Sequence, residues 1–222
     1  MNRGTIRTLT ARYVGDPNQT KFTPAQYNTA IDTAQEEFCF DSKALFKDAP
    51  TFTIATDDAT YDLPTDFWLE KELTHKGLKL WPITRAQLLG LSGDDWTDDE
   101  GTPTHYIIDP EEARKQILLY PIPQADDVGA NLILTYYPIP AALSADSSTP
   151  FNGASLMAQF HKAVAAQAAI DLILSLPQTP DSVQKIGQLA KIYEDKVSMA
   201  INEFGNTPRA PILFEPKTYW RK

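Results

Sequence analysis

Gly101–Tyr137 holds three short apolar runs: G-T-P-T-H-Y-I-I-D at 101–109, Q-I-L-L-Y-P-I-P at 116–123 and L-I-L-T-Y-Y at 132–137. Each run is too short for a buried helix, is rich in Ile, Leu and Tyr, and is bounded by turn residues, so each reads as a β-strand. Helical patterns lie on both sides of this block. The fold class is therefore α+β, a helical frame carrying an inserted antiparallel β region. The block contains no catalytic motif, and a β insertion of this kind points to an assembly component rather than an enzyme.

Upstream of it, Ile6, Leu9 and Tyr13 share one face of a short helix that Gly15-Asp16-Pro17-Asn18 breaks. Thr23-Pro24-Ala25-Gln26 is a strong helix start, with Thr23 as cap, Pro24 in the first turn and Gln26 at the reciprocal position. That helix is expected to reach about Phe40, with Tyr27, Ile31, Ala34 and Phe38 as its apolar stripe. From Pro50 the period changes to two. Residues 51–56 and Tyr61-Asp62-Leu63 read as strands around a turn at Asp57-Asp58-Ala59-Thr60, and 67–73 and 78–82 as two more around Lys76-Gly77. Residues 85–91 read as a short helix, 93–101 as an acidic loop, and 138–150 as a Pro/Ala/Ser linker.

The last third is helical. A helix over 155–176 carries Leu156, Phe160, Val164, Gln167 and Leu172, with alanines at 163, 165, 166, 168 and 169 that permit close approach of a neighbour in the same chain or in another subunit. After Pro177 and Pro180 a second helix, capped by Asp181 or Ser182, places Val183, Ile186, Ala190, Tyr193, Val197 and Ile201 on one face and closes at Gly205-Asn206. The short turn between the two makes them an antiparallel pair. Beyond it, Pro208, Pro211 and Pro216 forbid a regular helix over 207–222. This segment carries Phe214, Tyr219 and Trp220, and Arg209, Lys217, Arg221 and Lys222 against the single carboxylate of Glu215. The layout is thus 1–48 helical, 49–140 β-rich, 141–205 a helical pair sharing one core with 1–48, and 206–222 an extended tail.

Composition narrows the function. A chain of 222 residues with net charge −9 is not built to grip nucleic acid over its whole surface, and an acidic conduit would let a duplex slide. No run reaches the roughly 18 apolar residues that span a bilayer, so no membrane role is expected. Cys39, between Phe38 and Phe40, reads as a small buried hydrophobe. His75, His105 and His161 stand alone, with no ligand-type residue at metal spacing. Asp94, Asp95, Asp98, Asp99 and Glu100 fail the spacing of a calcium loop and read as a solvated acidic surface facing a basic partner or a lumen. No residue qualifies as nucleophile, acid or base, and no cofactor or metal is implied.

Four stretches in order carry a resemblance: Tyr61-Asp62-Leu63-Pro64-Thr65-Asp66-Phe67, Gly101-Thr102-Pro103-Thr104-His105-Tyr106, Ile117-Leu118-Leu119-Tyr120-Pro121-Ile122-Pro123 and Leu132-Ile133-Leu134-Thr135-Tyr136-Tyr137, followed by the helical pair. Together, over roughly residues 20–205, they resemble the head-to-tail connector (adaptor, or neck) proteins of tailed bacteriophages, in the subset with a β insertion. The resemblance implies a virion protein of the neck, assembled in the host cytoplasm. It implies a ring of identical copies, commonly twelve, beneath the portal protein, contact with the next neck or tail protein, and DNA passing through the lumen without sequence-specific binding. It also implies a C-terminal extension reaching the portal. Arg209, Phe214, Lys217, Tyr219, Trp220, Arg221 and Lys222 match that role in place and composition, since Trp, Tyr and Arg often anchor interfaces. Two other readings compete: a tail-completion or baseplate protein, and a carbohydrate-binding β module using Trp68, Trp81 or Trp96, of which Trp68 and Trp81 are expected to fill the β core instead.

Overall fold

The computed structural model describes residues 1–49, 51–55, 58–109 and 116–204. Helix α1 (Arg3–Val14) begins where Asn2 Oδ1 accepts the Thr5 amide at 2.9 Å. It ends at Gly15, whose φ of 83° is a left-handed conformation that costs glycine little. Helix α2 (Pro24–Ser42) opens with the expected capping box: Gln26 N–H donates to Thr23 Oγ1 at 3.3 Å, and Thr23 N–H donates to Gln26 Oε1 at 2.8 Å. It runs two residues past Phe40 before Lys43 adopts a φ of 50°. Tyr27, Ile31, Ala34 and Phe38 are fully buried, and each of the three larger side chains contributes about 2 kcal/mol of transfer free energy.

The β region comprises β1 (Lys47–Asp48), β2 (Phe52–Thr53), β3 (Thr60–Asp62), β4 (Phe67–His75), β5 (Leu78–Lys79), β6 (Trp81–Pro82), helix α3 (Arg85–Ser92), β7 (His105–Asp109), β8 (Gln116–Tyr120) and β9 (Asn131–Pro138). These strands form two sheets. One has the order β1-β9-β4-β5, with β2 also on β9, all antiparallel. The other has the order β3-β8-β7-β6, antiparallel except where β6 runs parallel to β7. Alternate side chains from both sheets enter one core, with Leu73, Ile117, Leu119, Leu132, Leu134 and Tyr136 almost wholly buried.

Two sequence expectations need correction here. The three strands of Gly101–Tyr137 share one core but not one sheet, because β7 and β8 pair with each other while β9 crosses to the other sheet. The run 78–82 is likewise two strands. Leu80 N–H still bonds Leu73 O at 2.8 Å, but Trp81 N–H bonds Thr104 O at 3.0 Å, so the chain changes sheets at the buried Leu80. A period of two specifies which face a side chain takes, not which strand lies alongside.

Residues 155–160 are a 3₁₀ segment rather than the start of a long helix, and Leu156 is 69% exposed instead of lying on an apolar stripe. Helix α4 proper spans His161–Leu174 and α5 spans Pro180–Phe204. The cap of α5 is Thr179, not Asp181 or Ser182: Ser182 N–H donates to Thr179 Oγ1 at 3.2 Å, and Thr179 N–H donates to Ser182 Oγ at 2.8 Å. A Thr directly before a Pro meets both N-terminal preferences at once. The pair is antiparallel, since Phe160, just ahead of α4, packs on Phe204 at the end of α5, ring centroids 6.2 Å apart. Of the stripe expected on α5, Tyr193 is buried and Ile186, Ala190 and Val197 pack against the core, but Val183 and Ile201 are exposed, and Leu189 and Ala200, not expected there, are buried.

The alanines of α4 settle a question left open by sequence. Ala163, Ala165, Ala166, Ala168 and Ala169 are fully buried within this single chain. They join a core that draws on residues 6–44 and 143–200. The close neighbours are α1, α2 and α5, so the alanine face is not available to another subunit.

The β region leaves and rejoins the helices at one place. Gln35 donates to Ala141 O at 3.1 Å and accepts the Phe151 amide at 2.8 Å, and Asp32 accepts the Leu143 amide at 3.0 Å. Phe40 packs on Trp68 with ring centroids 4.4 Å apart and planes tilted by 34°, and Lys71 lies 3.2 Å above the Phe46 ring. Trp68 and Trp81, both expected inside the β core, lie outside it: Trp68 seals the junction and Trp81 is 51% exposed at a sheet edge. The sheet change at Leu80 turns it outward.

Candidate interaction surfaces

The quoted signature stretches turn out to be structural. Asp66 accepts from Lys47 Nζ at 2.6 Å and from the Tyr136 hydroxyl at 2.7 Å, and its carbonyl accepts the Ile139 amide at 2.7 Å. It thereby clamps the segment before β4, β1 and the end of β9. Burial works against its charge, but the Lys47 bond and then the Tyr136 bond hold its pKa below the usual carboxylate value. Gly101 packs on Pro121, and Gly101 N–H bonds Ile122 O at 2.8 Å, so the second and third signatures meet face to face.

Next to them lies the acidic segment. Residues 93–98 are a 3₁₀ helix rather than a loop. Asp99 accepts the Tyr120 hydroxyl at 2.7 Å, and its carbonyl accepts the Ile122 amide at 2.9 Å. Ser92 Oγ also bonds the Tyr120 hydroxyl. Asp99 is therefore an anchor, half-buried, whereas Asp98 and Glu100 on either side are exposed. The side chains of Asp94 and Asp95 lie outside the described residues, as do all of 205–222, which hold Arg209, Phe214, Lys217, Tyr219, Trp220, Arg221, Lys222 and the Gly205-Asn206 cap.

Two surfaces went unnoticed in the sequence. The first is a groove over α1, lined by Thr5, Thr8, Arg12, Asp146 and Lys162 among others. Behind it Arg7 binds Asp146 with both nitrogens, at 2.8 and 2.6 Å, and Arg3 reaches the same carboxylate at 3.4 Å. The residues 138–150, read as a linker, are thus tied to α1. The second groove lies between α2 and α4. There Gln167 Nε2 donates to Glu37 at 2.7 Å and to Asp171 at 3.5 Å, and burial, then the Glu37 charge, pushes the Asp171 carboxyl up to about 6. Helical spacing marks Gln167 and Asp171 as one face, but only the packed structure brings Glu37 to them.

The titratable residues singled out earlier fall apart from one another. Cys39 is buried and its thiol is pushed up to about 12, chiefly by burial and then by Glu36, which makes it unreactive. His75 at the end of β4 is buried beside the buried Asp127, Nε2 to Oδ1 3.7 Å, with Lys76 Nζ 2.8 Å from the same oxygen. Burial lowers the His75 pKa, Asp127 opposes this, and Lys76 adds to it. His161 is buried with Nδ1 2.5 Å from the Met1 amino group, and burial followed by that ammonium lowers its pKa to about 4. His105 sits at the start of β7, bonded to Thr104. Among the described residues, no three His, Cys, Asp or Glu side chains are grouped to hold a metal ion, and no helix is long and apolar enough to cross a membrane.

What the fold offers is two packed cores, anchored signature motifs and charged surface grooves, the features of a structural assembly component. A family model describing the SU10 adaptor protein matches residues 1–210. The chain belongs to this family of phage head–tail adaptors and is a structural component of the virion. No curated protein matches it.

Proposed function

We propose that copies of this chain close into a ring beneath the portal, commonly of twelve in such connectors, and that DNA passes through the lumen without sequence-specific contact. The role is structural rather than catalytic. The family match over residues 1–210 carries this reading. The net charge of −9 supports it, since an acidic wall repels phosphates and keeps the duplex from sticking. Residues 1–48 and 141–205 would form the ring body, with 49–140 as an insertion that sets its shape or meets the next neck or tail protein. Asp94, Asp95, Asp98 and Glu100 would be an acidic surface of that ring, held in place by Asp99.

The segment 206–222 would dock on the portal. A short basic segment rich in Trp and Tyr that orders on binding covers much surface with few residues. Deleting 206–222 should leave the circular dichroism and melting temperature unchanged and abolish retention on immobilised portal rings. Full affinity in the truncated chain would sink the role given to Arg209, Phe214, Lys217, Tyr219, Trp220, Arg221 and Lys222.

A further inference from the structure

Helix α1 carries Arg3, Arg7 and Arg12 and no carboxylate. On a chain with nine more negative than positive charges, that is a local reversal of sign. Arg3 and Arg7 are spent on Asp146. Arg12 and Lys162 are exposed on the groove, and among the described residues neither has an ion-pair partner. Among the described residues the only carboxylate lining the groove is Asp146, already paired with Arg3 and Arg7.

The complementary surface is on the same chain. Asp98 and Glu100 are exposed, with no cationic partner among the described residues. Asp99 between them is locked to Tyr120 and Ile122, and the next residue, Gly101, is bonded to Ile122. The turn is therefore held in place before any partner arrives, and little ordering entropy remains to be lost on contact. The groove is carried by α1 and α4, which pack in the helical core, and the turn is bonded to β8, which packs in the β core, so one copy can present both at once.

We infer that adjacent copies meet by the α1 groove of one copy, at Arg12 and Lys162, receiving the acidic turn 98–100 of the next. The inference rests on the ring reading. A contact between two different patches of identical chains is heterologous, and such contacts close into rings when the rotation allows. Copies of one acidic chain repel each other overall, so a local pairing of opposite charge is what would fix register and orientation. DNA phosphate is the other anion that could reach the groove, but the net charge of the chain opposes it.

The test uses the full chain and two exposed double variants, Arg12→Glu/Lys162→Glu and Asp98→Lys/Glu100→Lys. Native mass spectrometry and sedimentation velocity would follow self-association at low and high salt. Wild type should form head-to-tail oligomers that weaken as salt screens the pairing. Each variant alone should associate about tenfold or more weakly. A one-to-one mixture should recover association, because the reversed turn then meets the reversed groove. Wild-type association unchanged in both variants would overturn the groove contact and leave the ring standing. A mixture no better than its components, or a wild type that stays monomeric at every concentration, would also overturn it, while portal retention would still judge the ring. If reversal of Arg12 and Lys162 weakened only binding to random duplex DNA, the groove would be a phosphate contact and the inference would fall.

Discussion

The helical part and the β part of this protein solve the same problem in opposite ways. The helical core gathers residues from 6–44 and 143–200, across the whole β region, yet each helix is written locally by caps, stripes and breakers. Among the described residues the β core draws only on 49–136, yet its strands change sheets four times: between β2 and β3, between β3 and β4, at Leu80, and between β8 and β9. Distance along the chain is therefore no measure of legibility. A helix satisfies its backbone within itself, whereas a strand must find another strand, and its own pattern does not name which.

The sharpest way to break this comparison is to empty each core in turn. Phe38 packs on Phe151, Phe160 and Tyr193 and is fully buried. Phe38→Ala should cost about 3–5 kcal/mol in urea denaturation, and Leu134→Ala in the β core about 2–5 kcal/mol. Hydrogen exchange should then quicken mainly in 163–173 for the first variant and in 117–119 and 132–136 for the second. Equal loss of protection everywhere would make the two cores one cooperative unit.

Next in size is the groove between α2 and α4. The folded Asp171 carboxyl, at about 6, stands above its unfolded value of 3.8. Wild type therefore loses stability as pH rises from about 4 through 6. Asp171→Asn removes that loss. It should gain about 1–2 kcal/mol at pH 8, after allowance for partial exposure, and nothing at pH 4. A gain that does not vanish on acidification would show that the Asp171 charge, disfavoured by burial and then by Glu37, is not its source. The smallest effect separates the parts again. Thr23→Ala should lower stability by about 1 kcal/mol and Thr84→Ala by about 0.5 kcal/mol, since α2 is packed in the helical core and α3 is a short helix whose Arg85, Ala86 and Gln87 are exposed. Equal losses in a thermal melt would place α3 among the elements that hold the fold together.

Where the sequence was legible, the information was local. Thr23 with Gln26, Gly15 after Val14, and Tyr27, Ile31, Ala34 and Phe38 at helical spacing all take the expected places. Where it misled, a partner was needed. Trp81 has strand chemistry but sits at an edge, Leu156 has helical spacing but lies in a 3₁₀ turn, and Thr179 outcompetes Asp181 and Ser182 because it directly precedes Pro180. The candidate surfaces divide the same way. A run of acids at 94–100 is visible in any reading, but the pinning of Asp99 by Tyr120 needs β8 alongside. The groove at Arg12 and Lys162 joins residues 150 positions apart.

By itself the sequence determined the α+β class, the break after α1, the capping box and apolar face of α2 and, through four spaced signatures, the adaptor family. These rest on backbone preferences and on side-chain periodicity, which act within a few residues. Tertiary structure alone decided that the alanine face of α4 is sealed within one chain, that β7–β8 and β9 part company, and which charges are left unpaired. Those outcomes depend on which surfaces meet when the chain closes, and burial and charge pairing are set by that closure.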